Sequence, residues 1–399
     1  MNFYQQALEL RDTIIGNRLW LHRHPEVGLD LPQTADYVEE KLREIGYTPR
    51  RVGKCGLVAT IGKPGKCFLL RADMDALPIR EQADVDYRSD NGSMHACGHD
   101  CHTAVLLGAA QLLKKHEQAL EGTVKLMFQP AEETMDGGKM MVEGGVLEDP
   151  KVDAAFAMHV FPNMPMEPGT ILLTGTESKF AAVDWFTIHI TGKGTHGAQP
   201  HNGVDPLNVA AHIHLALQAI NAREVDPAQP LVLTIGQMQG GNIANVIPQE
   251  ATLAGTMRTL SDEVRAAAKE RMEAIVSGTA AAFGAQAHVA YGSGCPVLIQ
   301  NKKLYAEIKE ICKSLEGVTV LDADDIGLPA GGGMGSEDFA YVAAQVPAVF
   351  PIIAAGKPDE GYCFPAHHPK VRFDHSALPA AAAAYAHIAM EWLKRHKES

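Results

Sequence analysis

The chain has 399 residues, of which 46% are hydrophobic and 21% charged. That balance excludes a disordered tail protein, a collagen-like chain and a small disulfide scaffold, and at about 150 residues per domain it predicts two or three domains. With 35 Lys and Arg against 48 Asp and Glu, the formal net charge is -13; such a surface repels phosphate backbones, so nucleic acid is not an expected partner.

From the amino end, Phe3, Ala7, Leu10 and Ile14 recur at helical spacing. Polar and charged residues between Met1 and Trp20 deny that stretch the apolar core of a signal peptide. A second helix is predicted from Pro32 through Val38, Leu42 and Ile45 to Gly46, proline suiting the first turn and glycine the stop. Apolar runs at Leu57–Ile61, Cys67–Leu70, Val124–Phe128 and Ala154–Met158 read as buried strands, with a helix over Thr103–Lys115 between two of them. The fold class is therefore α/β, a mostly parallel sheet covered by helices.

The character then changes. Strands at Val183–Thr191, Leu231–Met238, Glu250–Arg258 and Gln286–Tyr291 alternate with helices at Asp205–Ile220 and Ser261–Ala282, Ser261 serving as N-cap. That order is βαββαβ, an α+β ferredoxin-like unit. After Pro296 the α/β pattern resumes, with a helix at Lys302–Leu315, a strand at Ala348–Ala354 and a helix at Ala377–Lys394. The expected organisation is one catalytic domain in two pieces, 1–182 and 296–399, interrupted by an inserted domain at 183–295. No stretch approaches the ~20 apolar residues that span a bilayer, so no membrane is expected. Seven cysteines without regular spacing read as reduced thiols, and the cytoplasm is the expected compartment.

Ligands of open α/β sheets bind beyond the carboxyl ends of the strands. Asp73 and Asp75 follow the run at Cys67, Glu132 and Glu133 follow the run at Val124, and His159 follows the run at Ala154. Between the first two lies His95-Ala-Cys97-Gly-His99-Asp100-Cys101-His102. Metal-competent residues thus gather at one end of three strands. Cys97 and His99 with carboxylates favour a borderline cation such as zinc, while manganese or cobalt suits an oxygen-rich site. Glu132 and Glu133, adjacent on an extended segment, point in opposite directions. One can hold a metal while the other takes a proton from water. His367 and His368 offer a further imidazole, and Gly331–Phe339 is a flexible loop entering a helix, whose amides could approach a substrate closely; the alternative is a plain helix N-terminus with Ser336 as cap and Asp338 as favourable charge. In the insertion, glycine-flanked His196 can stand at a tip, and Asn245 and Arg258 could bind an anion.

These residues together resemble the dinuclear metallopeptidase and aminoacylase family, in particular the branch of hippurate hydrolases, N-acyl-L-amino-acid amidohydrolases and plant auxin-conjugate hydrolases. The matching stretches are HRHPE at His22, RADMDALP at Arg71, MHACGHD at Met94, FQPAEE at Phe128, MHVFP at Met158, the Gly192–Pro206 segment, NVIP at Asn245 and GSEDF at Gly335. The resemblance implies that Cys97, His99, Glu133, His159 and His367 hold two divalent ions, Zn2+ or Mn2+ with Co2+ a third candidate. It implies Glu132 as general base and proton donor, with Asp75 orienting the ligands from behind and Asp73 doing the same. His196 would stabilise the oxyanion, and Asn245 and Arg258 would hold the substrate carboxylate. The insertion would be a lid through which two copies form a homodimer, His196 acting on its own site or on the partner's. Cys101 and Thr195 replace glycines usual in the family, and His368 stands where the branch has Ser or Asn.

The expected reaction is metal-dependent hydrolysis of a small-molecule N-acyl-amino acid to a carboxylic acid and a free amino acid. A dipeptidase or an N-carbamoyl-amino-acid hydrolase could use the same centre. A non-catalytic metal-binding dimeric protein is a different class, and it has no need of Glu132. A thiol-redox role for Cys97 and Cys101 lacks the surrounding βαβ thioredoxin pattern.

Overall fold

The computed structural model describes residues 1–176, 179–327 and 333–397. Two compact units emerge: Met1–Ser178 with Ile299–Gly331 and Asp338–Ser399, and Lys179–Leu298 with Gly332–Glu337. Of the Gly331–Phe339 loop, Gly331 and Gly332 lie outside the described residues.

In the first unit, strands β1 (Arg50–Val52), β2 (Gly56–Gly62), β3 (Cys67–Asp73), β4 (Thr123–Gln129) and β5 (Ala154–Ala157) form one sheet with Ala348–Val349, in the order β1-β2-β4-β3-β5 and then Ala348–Val349. β3 runs parallel to β4 and β5, and β5 to Ala348–Val349, while β1, β2 and β4 pair antiparallel. Every residue of β3 is buried, as a strand covered on both faces requires. Helices α1 (Phe3–Glu9), α2 (Arg11–Arg23), α3 (Pro32–Ile45) and α4 (His99–Lys115) pack with the last helix, Leu378–Arg395, around one apolar core. α3 ends at Gly46 with φ 100°, the left-handed stop expected there.

Two boundaries differ from expectation in ways that matter for the site. α4 begins at His99, not Thr103, so His99 and His102 share its first turn. The predicted strand Ala348–Ala354 is two strands, Ala348–Val349 and Ile352–Ala354, belonging to different sheets. Pro351, with no N–H to give to a ladder, marks the break. Ile352–Ala354 joins a second four-stranded sheet with β6 (His159–Phe161), β7 (Ile171–Leu173) and Val320–Asp322.

The second unit is an antiparallel sheet in the order Leu231–Gly240, Glu250–Thr259, Ala182–Thr191, Gln286–Cys295. Helices Pro206–Ala219 and Asp262–Ala282 cover one face, burying Ile188, Ile213, Leu253 and Met272 among others. Asp205 and Ser261 cap these helices, accepting from Leu207 and Asn208 and from Val264. Among the described residues no helix is long and apolar enough to cross a membrane.

Candidate metal centre and active site

The site of the first unit grows from the carboxyl ends of parallel neighbours. Register sets Asp73 beside Gln129 and Arg71 beside both Met127 and Ala157. The chain leaving β3 reaches Asp75, the chain leaving β4 reaches Glu132 and Glu133, and the chain leaving β5 reaches His159.

Cys97 and His99 flank Gly98, whose φ of 90° is left-handed. A Cβ there would lie 2.5 Å from Val160 Cγ2 and 3.0 Å from the Phe373 ring. Glycine therefore lets the chain turn sharply into α4 and present both side chains to one spot. The ligand atoms of Cys97, His99 and His159 lie within 4.8 Å of one another, as do those of Cys97, Glu133 and His367. Cys97 Sγ is 3.3 Å from His159 Nε2 and 3.3 Å from His367 Nε2, and His367 Nε2 is 3.4 Å from Glu133 Oε1. His99 Nε2 lies 3.9 Å from Glu132 Oε2 and 4.0 Å from Glu133 Oε1. Cys97 is thus common to both triads.

The imidazoles are held from behind. His99 Nδ1 donates to the Asp75 carbonyl at 2.9 Å, and His159 Nδ1 donates to the Val160 carbonyl at 2.7 Å. With Nδ1 donating to a carbonyl, each Nε2 is the ring atom turned inward, the arrangement of metal-binding histidines. Among the described residues, His99 Nε2 is buried with no hydrogen-bond partner, a costly state for a group that no cation meets. The donor set therefore fits divalent metal.

Glu132 and Glu133 do not lie on an extended segment. They sit in a turn that follows Ala131, whose φ of 58° is rare for a residue with a Cβ. The turn is held by Asp75, whose Oδ1 and Oδ2 accept the N–H groups of Glu132 and Glu133 at 2.9 and 3.1 Å. His367 itself has φ 66°. Positive φ at a candidate ligand and just before the candidate base is the clustering of backbone strain found at working sites.

Charge is concentrated here. Burial, reinforced by Glu133, pushes the Cys97 thiol up. Burial and neighbouring His102 hold His159 well below the ordinary imidazole range. Burial also opposes a charge on His99, yet Asp73 and Cys97 raise it well above that range. Contacts with Cys97 and Glu133 lift His367 to about 10. Burial works against the Glu133 carboxylate, but His367 and His99 keep it below its ordinary value. Acceptors that share protons in this way are prepared to exchange them for metal ions.

His368 is turned away, stacked on Phe364 with ring centroids 4.3 Å apart. Cys101 is fully buried in the apolar core, where burial pushes its thiol far up. Ser336 Oγ accepts from Arg258, and among the described residues the helix Ala340–Ala343 has no side-chain cap. Asp338 instead accepts from Arg71, Gln129 and the Gly138 N–H.

Sequence reasoning overlooked a buried network behind α4. Asp100 Oδ2 forms an ion pair with the Arg18 guanidinium, 2.9 Å from Nε, and meets His22 Nδ1 at 2.7 Å, while His22 Nε2 meets Glu81 at 3.1 Å. Arg18, with His22 after it, holds Asp100 far below the carboxylate range against the effect of burial. The HRHPE stretch thus fastens the turn that carries His99. The i, i+4 spacing of Arg18 and His22 was the available signal.

In the second unit, the Thr195–His196 pair of residues bridges to Val246–Ile247, and the Asn245 carbonyl accepts the Gly197 N–H at 2.8 Å. His196 is exposed, and its Nδ1 accepts the Ala198 N–H at 3.0 Å, which leaves the ring proton on Nε2. Arg258 lies at the far end of Glu250–Thr259, paired with Val183 and Val232, and donates to the Met334 carbonyl and Ser336 Oγ. His196 and Asn245 are therefore neighbours, and Arg258 stands apart from them.

N-acetyl-L-cysteine deacetylase of Bacillus subtilis is 37% identical, the match covering 98% of this chain and 90% of that protein. IAA-amino acid hydrolase ILR1-like 2 of Arabidopsis thaliana is 35% identical over 98% of this chain and 88% of its own length. The crystal structure of the Bacillus subtilis YXEP protein, a dinuclear metal binding peptidase from the M20 family, superposes with a TM-score of 0.78 at 33% identity, covering 97% of this chain and 99% of that one. The model of peptidase family M20/M25/M40 matches residues 69–391, and the chain belongs to that family.

Proposed function

We propose that the chain hydrolyses the amide bond of N-acyl-L-amino acids, using two divalent ions held by Cys97, His99, Glu133, His159 and His367. It is a metal-dependent amidohydrolase, a reading supported by the deacetylase and the IAA-amino acid hydrolase among its relatives. The observation that carries it is a second carboxylate, Glu132, buried beside the converging ligand atoms with its own backbone held by Asp75.

When bound, the two ions supply Lewis acidity to the amide carbonyl and to the attacking water. Cys97, common to both triads, would hold metal together with His99 and His159 and with Glu133 and His367. Thiolate and imidazole beside carboxylate favour Zn2+, with Mn2+ or Co2+ as alternatives. Glu132 takes the proton of the attacking water and returns it to the departing amine. His196 offers an Nε2–H to the developing oxyanion. Arg258 and Asn245 bind the substrate carboxylate.

The insertion also supports a homodimer. Arg258 and Glu250 are eight residues apart on one strand, about 27 Å at ~3.4 Å per residue, and His196 and Asn245 lie beyond the Glu250 end. One small substrate cannot be held from both ends of a single lid. At each site the two sets come from different copies, so His196 acts in trans. Mixing Glu132→Ala with His196→Ala protein should restore about a quarter of wild-type turnover through hybrid dimers; no restoration would assign His196 to its own chain. The seven free cysteines support a reducing compartment, the cytoplasm.

The test of the reaction is amino-acid release from N-acetyl-, N-benzoyl- and N-carbamoyl-amino acids and dipeptides, after metal stripping and after return of zinc, manganese or cobalt. Metal-restored release from the N-acyl members is expected. Release from dipeptides or carbamoyl compounds alone would move the chain to those substrates, and none from any member would leave a binding protein.

A further inference from the structure

We propose that His102 is a positioning residue that sets the orientation of His159 through the Val160 peptide; this rests on the reading above in which His159 ligates metal. Its ring lies in the first turn of α4, three residues after His99, and is 3% exposed. His102 Nε2 accepts the Val160 N–H at 2.8 Å. The ring proton must then sit on Nδ1, which donates to Asp73 Oδ1 at 2.5 Å. Asp73 Oδ2 accepts Arg71 Nη1 at 2.7 Å. At the other end, the Val160 carbonyl accepts His159 Nδ1 at 2.7 Å.

Both polar groups of one residue are therefore engaged: the N–H of Val160 is tied to His102, and its carbonyl turns the His159 ring. The His102 and His159 rings also meet edge-on, with centroids 4.6 Å apart. His99, His102 and Asp73 lie close enough together to hold an ion, but the chemistry excludes His102 as a ligand. Its Nε2 lone pair is engaged by a peptide N–H, and its Nδ1 proton by a carboxylate. The residue instead fixes the spacing between two ligands, His99 on its own helix and His159 on β6. Removing the acceptor leaves a buried N–H unpaired and frees Val160 to move, and with it His159.

The two bonds can be removed separately. His102→Asn keeps a donor near the Nδ1 position and loses the acceptor for Val160; His102→Gln keeps an acceptor near the Nε2 position and loses the bond to Asp73. Metal-free protein would be titrated with Co2+ by calorimetry, with circular dichroism recording the fold of each variant before metal is added. His102→Asn should bind at least one of two Co2+ equivalents ~10–100-fold more weakly, while His102→Gln stays within about threefold of wild type. Native affinity in His102→Asn, or equal losses in both folded variants, would overturn the proposal. Should His102→Asn fail to fold, the Gln variant decides, a tenfold or greater loss overturning it. His159→Ala separates the two levels. Retention of both equivalents in that variant would refute the metal reading itself, whereas loss in His159→Ala with none in His102→Asn refutes only the role of His102.

Discussion

The histidines of the two units are held in opposite ways. In the first unit, His99 and His159 each give the Nδ1 proton to a backbone carbonyl, so Nε2 is the ring atom facing inward. In the second unit, His196 takes an N–H from Ala198 at Nδ1, so Nε2 is a proton donor facing solvent. The proposed roles, metal ligand in one unit and oxyanion partner in the other, follow from whether a C=O or an N–H stands behind the ring. Burial follows the same division: His99 is fully buried, where a bare ring nitrogen is costly, and His196 is exposed.

That contrast can be broken experimentally. The largest effect belongs to the group that serves neither purpose: Glu132→Gln should keep its metal, measured by elemental analysis, and lose at least ~10²–10⁴-fold in turnover. Next, His196→Ala should lower kcat by ~10²–10³-fold with metal content unchanged, as removal of one oxyanion donor does. A fall in metal content in that variant would erase the distinction between the two kinds of histidine. Asp75→Asn comes third. It points an amide N–H2 at one of the two N–H groups of Glu132 and Glu133, and metal affinity or activity should fall ~10–100-fold. The smallest effect is on stability. Gly98→Ala places a Cβ against Val160 and Phe373 at a left-handed φ, and thermal unfolding should record a loss of ~1–3 kcal/mol.

The βαββαβ order of the second unit was legible because its strands are ten residues long and each helix carries a strong cap at Asp205 or Ser261. The second sheet of the first unit was not. Its strands, such as His159–Phe161 and Ile171–Leu173, have three residues each and too little length to show a period. The metal-competent residues were legible as types at strand ends, since burial of the preceding strands is written in their apolar runs. Their arrangement was not. The turn at Glu132 depends on a positive φ at Ala131 and on Asp75, 57 residues earlier. The part played by His102 was not legible because the helix was placed from Thr103. Gly98 in fact starts it four residues earlier, and only on that turn does His102 reach Asp73 and Val160. Long-range hydrogen bonds of this kind leave no periodic trace in a single chain.

The central claim is tested most directly by returning zinc or manganese stepwise to metal-free protein and following, on the same samples, bound metal and amino-acid release from an N-acetyl-amino acid. Two equivalents per chain should bind, and turnover should rise with them from a metal-free baseline near zero. Binding of fewer than two equivalents, or turnover that ignores the metal, would contradict a dinuclear centre built on Cys97.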